Sequence, residues 1–160
     1  MREKNDFCVV ALDLSLSSAG VAIFDKNGMP FDVFSIQTNS KHSLGIRLKT
    51  IADRLYEVKN KYKISVVVLE QGFARWNIST QMLYRVHGIA NYIFYDFEQI
   101  YYAPSSVKKI VSGCGKTDKE GIMRIVKEKF PLLELKNDDE SDAVSVGMAY
   151  FIDKLGGHYN

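Results

Sequence analysis

Val9–Gly20 reads Val-Val-Ala-Leu-Asp-Leu-Ser-Leu-Ser-Ser-Ala-Gly, an apolar run of strand type that carries a single acid, Asp13, and then gives way to small and hydroxylated residues. A carboxylate inside a buried strand is costly unless something pairs with it. Either the strand ends near Leu12 and Asp13 is a solvated turn residue, or the acid is held there for a purpose. A second apolar run, Ile64–Leu69, ends the same way at Glu70, and an acidic cluster, Asp138-Asp139-Glu140-Ser141-Asp142, opens the last helical segment. Functional groups gather at strand ends and helix starts in sheets with helices on their faces, so three separated segments can deliver carboxylates to one point.

The spacing of apolar residues predicts the elements around these acids. Phe7–Leu14, Gly20–Asp25 and Phe31–Thr38 read as strands, and Lys26-Asn27-Gly28 is hairpin-turn chemistry, which implies an antiparallel three-stranded meander. Leu44, Leu48, Ile51, Leu55, Val58 and Tyr62 then recur on one helix face. Ile64–Leu69 suits a strand covered on both faces, as parallel strands are. Ser79 is a cap for a long helix over 79–97, with the stripe Met82, Val86, Ile89, Ile93 and Phe97. Ile100–Ala103 reads as a short strand, and Pro104 opens a helix to about Val111. After the loop Ser112–Lys116, Thr117 and Glu120 have capping-box spacing for a helix that Pro131 stops. The last helix begins near Asp138, with Asp138 itself as N-cap and Val144, Met148, Phe151 and Leu155 turned inward. The expected fold is α/β, a mixed five-stranded sheet flanked by helices.

Length favours one domain over 1–160, with 156–160 as a flexible tail. No signal peptide and no membrane-spanning run is evident. Cys8 and Cys114 lack metal-ligand spacing and make a poor disulfide framework, which fits a reducing cytoplasm, although a bond between them stays open. Net charge is only +2, but Lys108–Lys129 holds seven bases against three acids, and Glu134–Asp142 holds five acids against one base. A basic segment beside an acidic one suits a polyanion and its metal; the plainer reading is a solvated helix face.

Clustered carboxylates repel and stay ionised together only beside a cation. Oxygen-only ligands select hard divalent ions, Mg²⁺ first with Mn²⁺ as a substitute. Asp139 and Asp142, three residues apart, share a helical face in the first turn. Two ions about 3.5–4 Å apart would activate water on one side of a phosphodiester and stabilise the leaving oxygen on the other.

Four segments carry a resemblance. Leu-Asp-Leu-Ser-Leu-Ser-Ser-Ala-Gly-Val-Ala from Leu12, Leu-Glu-Gln-Gly-Phe at Leu69–Phe73, Tyr102–Glu120, and Asp-Glu-Ser-Asp-Ala-Val at Asp139–Val144 resemble, in order, the RuvC-type Holliday junction resolvases. The likeness runs from about Val9 to Tyr150. It implies a ribonuclease H-like fold, a homodimer, and Mg²⁺-dependent cutting of four-way DNA junctions by symmetric nicks. It also implies that Asp13, Glu70, Asp139 and Asp142 are the metal-binding catalytic acids. Phe73 takes the place of an aromatic that wedges or stacks on bases at the junction centre; otherwise it is a core phenylalanine. Lys119 matches a lysine that assists the cut phosphate and Lys108 another lysine on the active-site side, either of which is otherwise a generic phosphate contact. Lys116 and Arg75 are further candidates for phosphate contacts. The helix over 79–97 carries aromatics all round, more than a core stripe needs, and corresponds to the family's dimer contact.

The chain departs from the family pattern at the first acid, where Asp13-Leu14-Ser15 replaces the usual Asp-Pro-Gly, and again over Trp76–Gln81, which suits the phage-encoded branch. His42, His87 and His158 lie outside the motifs. Asp13–Gly20 also resembles the first phosphate loop of sugar kinases and actin-like ATPases, which need a second domain. A non-catalytic junction binder is disfavoured, because carboxylates facing phosphate weaken binding. A nuclease of flaps, forks or hybrids is the stronger rival, since the same chemistry serves it.

Overall fold

The computed structural model, which describes residues 7–72, 78–154 and 156, is built on a mixed sheet of five strands in the order β3-β2-β1-β4-β5. The strands β1 (Cys8–Asp13), β2 (Ser18–Phe24) and β3 (Pro30–Gln37) form the antiparallel meander. In the turn from β2 to β3 the Asp25 carboxylate accepts from the Asn27 and Met29 N–H groups, and Gly28 takes φ 80°. The strand β4 (Ile64–Glu70) lies parallel to β1, and β5 (Glu98–Tyr102) parallel to β4. Five helices complete the described chain: α1 (Leu44–Lys61), α2 (Ile78–Ile93), α3 (Pro104–Ser112), α4 (Lys119–Lys129) and α5 (Asp138–Lys154). None of them is long and apolar enough to cross a membrane.

Strand side chains alternate between faces, so the sheet builds two cores. Val10, Leu12, Val21, Ile23, Val67 and Leu69 pack against α1 and α2, through Ile51, Leu55, Val86 and Ile93. Val9, Ala11, Ala22, Phe24, Val66 and Val68 pack against α3, α4 and α5. Both faces of the parallel strands are covered, which is why Ile64–Leu69 is apolar with little alternation.

Local chemistry moves several boundaries from where spacing places them. Asp118, not Thr117, caps α4: its carboxylate accepts from the Gly121 N–H, while the Thr117 hydroxyl donates to the Cys114 carbonyl. Asn137, not Asp138, caps α5, because Asn137 Oδ1 accepts from the Glu140 N–H. Ser79 lies inside the first turn of α2, and α2 ends at Ile93, so Phe97 packs from the following turn. The strand β5 starts two residues before Ile100. Cys8 is buried, Cys114 is exposed, and both are free thiols.

The last helix is not amphipathic in the expected way. It is buried on most sides from Glu140 to Phe151, because it lies between the sheet and the pair α3 and α4. Leu155, expected on its inner face, lies outside the described residues. At Gly147 a Cβ would stand 2.1 Å from the Phe24 ring, which is itself fully buried and packed on Phe151. The helix seats on the sheet there only because Gly has no side chain. Gly147→Ala is expected to cost about 1–3 kcal/mol of stability by overpacking, read as a lower urea midpoint with an unchanged slope.

Candidate active site

The alternation that builds the second core also places the first two acids. Val9 and Ala11 face α5, and so does Asp13, the next residue of that set; Val66 and Val68 do the same for Glu70. Strands β1 and β4 are parallel neighbours with Leu12 opposite Leu69, so Asp13 and Glu70 emerge side by side at the same end of the sheet. Neither is a solvated turn residue: each is partly buried at a strand end.

The third contribution arrives over Gly20. Asp13, Gly20 and Ser35 form one row across β1, β2 and β3, and Ser18 stands opposite Gln37 in a neighbouring row. A Cβ on Gly20 would lie 2.0 Å from the Asp139 carbonyl oxygen. The missing side chain lets the first turn of α5 rest on the rows that present Asp13. Side chains then pin it: Asn137 Nδ2 donates to Ser35 Oγ at 2.8 Å, and Ser18 Oγ donates to Asp139 Oδ2 at 2.6 Å. Glu140, buried at 1% exposure, accepts from the Lys136 N–H at 2.7 Å and closes the cap from behind. Its position three residues after Asn137 is a capping signal in the sequence.

Asp13, Glu70, Asp142, Lys108 and Lys119 line one cleft of about 320 Å³, together with Pro104, Val107, Ile122 and Ser145. Lys119 Nζ lies 3.3 Å from Asp142 Oδ2. Asp139 borders this group rather than lining the cleft, and its charge still acts on Asp13. Lys116 is in the loop before α4 and does not line the cleft. Phe73 and Arg75 lie outside the described residues.

The electrostatics are those of crowded like charges. Burial, then the charges of Glu70, Asp142 and Asp139, push the Asp13 carboxyl well above the usual carboxylate range. Burial, with the charge of Asp142, raises Glu70 as well, against the pull of Lys108 and Lys119. Burial also raises Asp142, with Lys119 opposing. Lys119 is raised in turn, chiefly by Asp142.

Among the described residues, no three His, Cys, Asp or Glu side chains stand ready to enclose a metal ion. Asp139 is held by Ser18 and Asp142 by Lys119, while the charges of Asp13 and Glu70 act on each other. The donor set nevertheless fits a hard divalent cation: every group is a carboxylate, and the mutual repulsion that raises Asp13 is what such an ion relieves.

The model of the crossover junction endodeoxyribonuclease RuvC family matches residues 9–150. A RuvC of Rickettsia bellii is 29% identical over 153 residues, covering 91% of this chain and 98% of its own. That of Alkaliphilus oremlandii is 30% identical over 149 residues, covering 89% and 91%. The structure of Thermus thermophilus RuvC in complex with a Holliday junction substrate superposes with a TM-score of 0.81 at 19% identity, covering 94% of this chain and 96% of that one. The yeast mitochondrial Holliday junction resolvase Ydc2 follows at 0.61 and 14%, covering 89% and 78%. The fold is thus that of RuvC.

Charge crowding makes a stability prediction. A carboxyl raised above its unfolded value favours the fold while protonated and opposes it once ionised, so its penalty grows as pH rises through the raised value. In EDTA, Asp13→Asn should therefore melt above the wild type at pH 7, with the gap closing as pH falls toward 4. Thermal melts at several pH values decide this; equal melting at pH 7 would show that Asp13 carries no such penalty.

Proposed function

The chain belongs to the crossover junction endodeoxyribonuclease RuvC family, and from that premise we propose that it is a Mg²⁺-dependent endonuclease that resolves four-way DNA junctions by paired symmetric nicks, through two-metal phosphodiester hydrolysis. The observation that carries the reading is the cleft itself, where acids from β1, β4 and α5 meet two lysines in one opening. A binding module gains nothing from three carboxylates beside a phosphate.

Asp13, Glu70, Asp139 and Asp142 are the groups that would hold the cation. When bound, it supplies Lewis-acid chemistry, polarising a phosphoryl oxygen and making water a competent nucleophile near neutral pH. The chain's own residues do the rest. Lys119, with a side chain 65% exposed, stands over Asp142 and offers its ammonium to a phosphate oxygen at the cleft mouth. Lys108 faces the same opening from α3 and adds a second positive charge. Pro104, Val107 and Ile122 give the cleft an apolar wall that strengthens these electrostatics.

The wider reading extends to the substrate and the assembly. Phe73, three residues after Glu70, stacks on bases at the junction centre, and Arg75 and Lys116 contact flanking phosphates. Tyr84, Tyr92 and Tyr95, on α2 and the turn after it, are 50%, 71% and 75% exposed, an aromatic surface suited to a homodimer that sets two clefts on two strands. The enzyme works in the cytoplasm, as one nuclease domain per chain.

Cleavage of an end-labelled four-way junction in Mg²⁺, beside a matched duplex and a three-way fork, tests this. Paired nicks at symmetric positions with the duplex spared are expected. Equal cutting of the fork would point to a general debranching nuclease, and binding without cutting in both Mg²⁺ and Mn²⁺ to a non-catalytic binder. Asp13→Asn should abolish cutting and leave junction binding equal or tighter. Phe73→Ala should cut more weakly with a modest loss of binding, because one base–aromatic stack is worth about 1–3 kcal/mol. Junction affinity should fall steeply between 50 and 200 mM salt, by about a factor of 10³ or more if six or more phosphates are contacted. A flat salt response would remove the Lys108–Lys129 segment from the interface.

A further inference from the structure

Ser18 follows Asp13 in the first motif and Gln37 stands apart from every acidic motif, yet hydrogen bonds run from Gln37 through Ser18 to Asp139. Ser18 Oγ donates to Asp139 Oδ2 at 2.6 Å and accepts from Gln37 Nε2 at 2.8 Å. A serine hydroxyl has one proton to give. With the Gln37 amide occupying a lone pair of the oxygen, that proton is committed to the carboxylate.

The arrangement is built into the sheet. Ser18 and Gln37 are direct cross-strand partners on β2 and β3. The Ser18 backbone is fixed too: Ser15 Oγ accepts from the Ser18 N–H at 3.1 Å and donates to the Ser18 carbonyl at 2.6 Å. Gln37 Nε2 also lies 3.3 Å from Ser35 Oγ, which accepts from Asn137 Nδ2 at 2.8 Å. Asn137, Ser35, Gln37, Ser18 and Asp139 thus form one polar chain that leaves the start of α5, crosses two strands and returns to it.

We propose that Ser18, oriented by Gln37, is a positioning residue for Asp139: it ties one carboxylate oxygen and leaves the other to meet a divalent cation beside Asp13. The inference rests on reading the acids as cation ligands. Repulsion from Asp13 and Asp142 drives an untethered Asp139 outward, toward solvent. Lys119 answers that repulsion at Asp142 with a positive charge, which a bound cation opposes. A neutral hydroxyl answers it at Asp139 without opposing the ion, so the tether holds in the loaded and the unloaded site alike. Hydrogen bonds behind a ligating carboxylate fix its orientation in the same way in characterised metal sites.

Three variants test this: Ser18→Ala, Ser18→Thr and Gln37→Leu. For each, Mn²⁺ affinity is measured by calorimetric titration without DNA, beside the Mg²⁺ concentration for half-maximal junction cleavage and the melting temperature in EDTA. Loss of the tether in Ser18→Ala is expected to weaken Mn²⁺ binding about tenfold and to raise the half-saturating Mg²⁺ by a similar factor, while Ser18→Thr stays within about twofold of the wild type. Gln37→Leu, at an exposed position, should move both in the same direction by about threefold, and it decides the matter if Ser18→Ala fails to fold. Wild-type Mn²⁺ affinity in Ser18→Ala, or an equal loss in Ser18→Thr, overturns the proposal. A wild type that binds Mn²⁺ and cuts no junction refutes the nuclease reading alone, and the Mn²⁺ titrations still decide the positioning role. A wild type that binds no Mn²⁺ and cuts no junction overturns both, and one that cuts without binding Mn²⁺ leaves the nuclease reading standing and overturns the positioning role in the free protein.

Discussion

The cleft depends on how closely one helix can approach one strand. At Gly20 the α5 backbone comes so near β2 that even a methyl group would strike the Asp139 carbonyl, and at Gly147 the same helix lies directly on Phe24. These two contacts seat α5 along its length. Its first turn then falls on the row that carries Asp13, and Asp142 falls opposite Lys119. The cap made by Asn137 and Glu140 holds that turn while like charges push against it. Packing and capping together sustain a concentration of negative charge that the acids would not sustain themselves.

Much of this could be read from residue order. Period-two alternation is a local property, so Asp13 and Glu70 could be assigned to strand ends from their own neighbours, and α1 from its stripe. Three kinds of feature could not. Caps compete over one or two positions: Thr117 and Asp118 both offer an oxygen, and only the backbone path decides for Asp118. The burial of α5 is set by α3 and α4, which pack on it from the side away from the sheet, so an inner face chosen from its own periodicity undercounts its contacts. The tether from Ser18 to Asp139 joins residues 121 positions apart, through strand register that no local pattern encodes.

The turn after Asp13 shows how a departure from the family pattern is absorbed. In place of Pro-Gly this chain has Leu14-Ser15. Leu14 is buried in the α1 and α2 core, and Ser15 bridges the N–H and carbonyl of Ser18 with its own hydroxyl. Thr38 and Arg47 close the loop from outside by bonding the Leu16 carbonyl. A turn in which proline would fix φ is here stiffened by side-chain hydrogen bonds and one buried leucine.

The order of the strands bears on when the cleft comes into being. The central strand β1 is made first, but its parallel neighbour β4 begins at Ile64 and α5 only at Asp138. On a ribosome the meander can pair as soon as β3 emerges, while Asp13 waits for partners made much later. Contacts of such long sequence separation form slowly. A nascent chain therefore carries no assembled acid cluster until α5 has emerged, so the whole sheet is made before the site that it presents can exist.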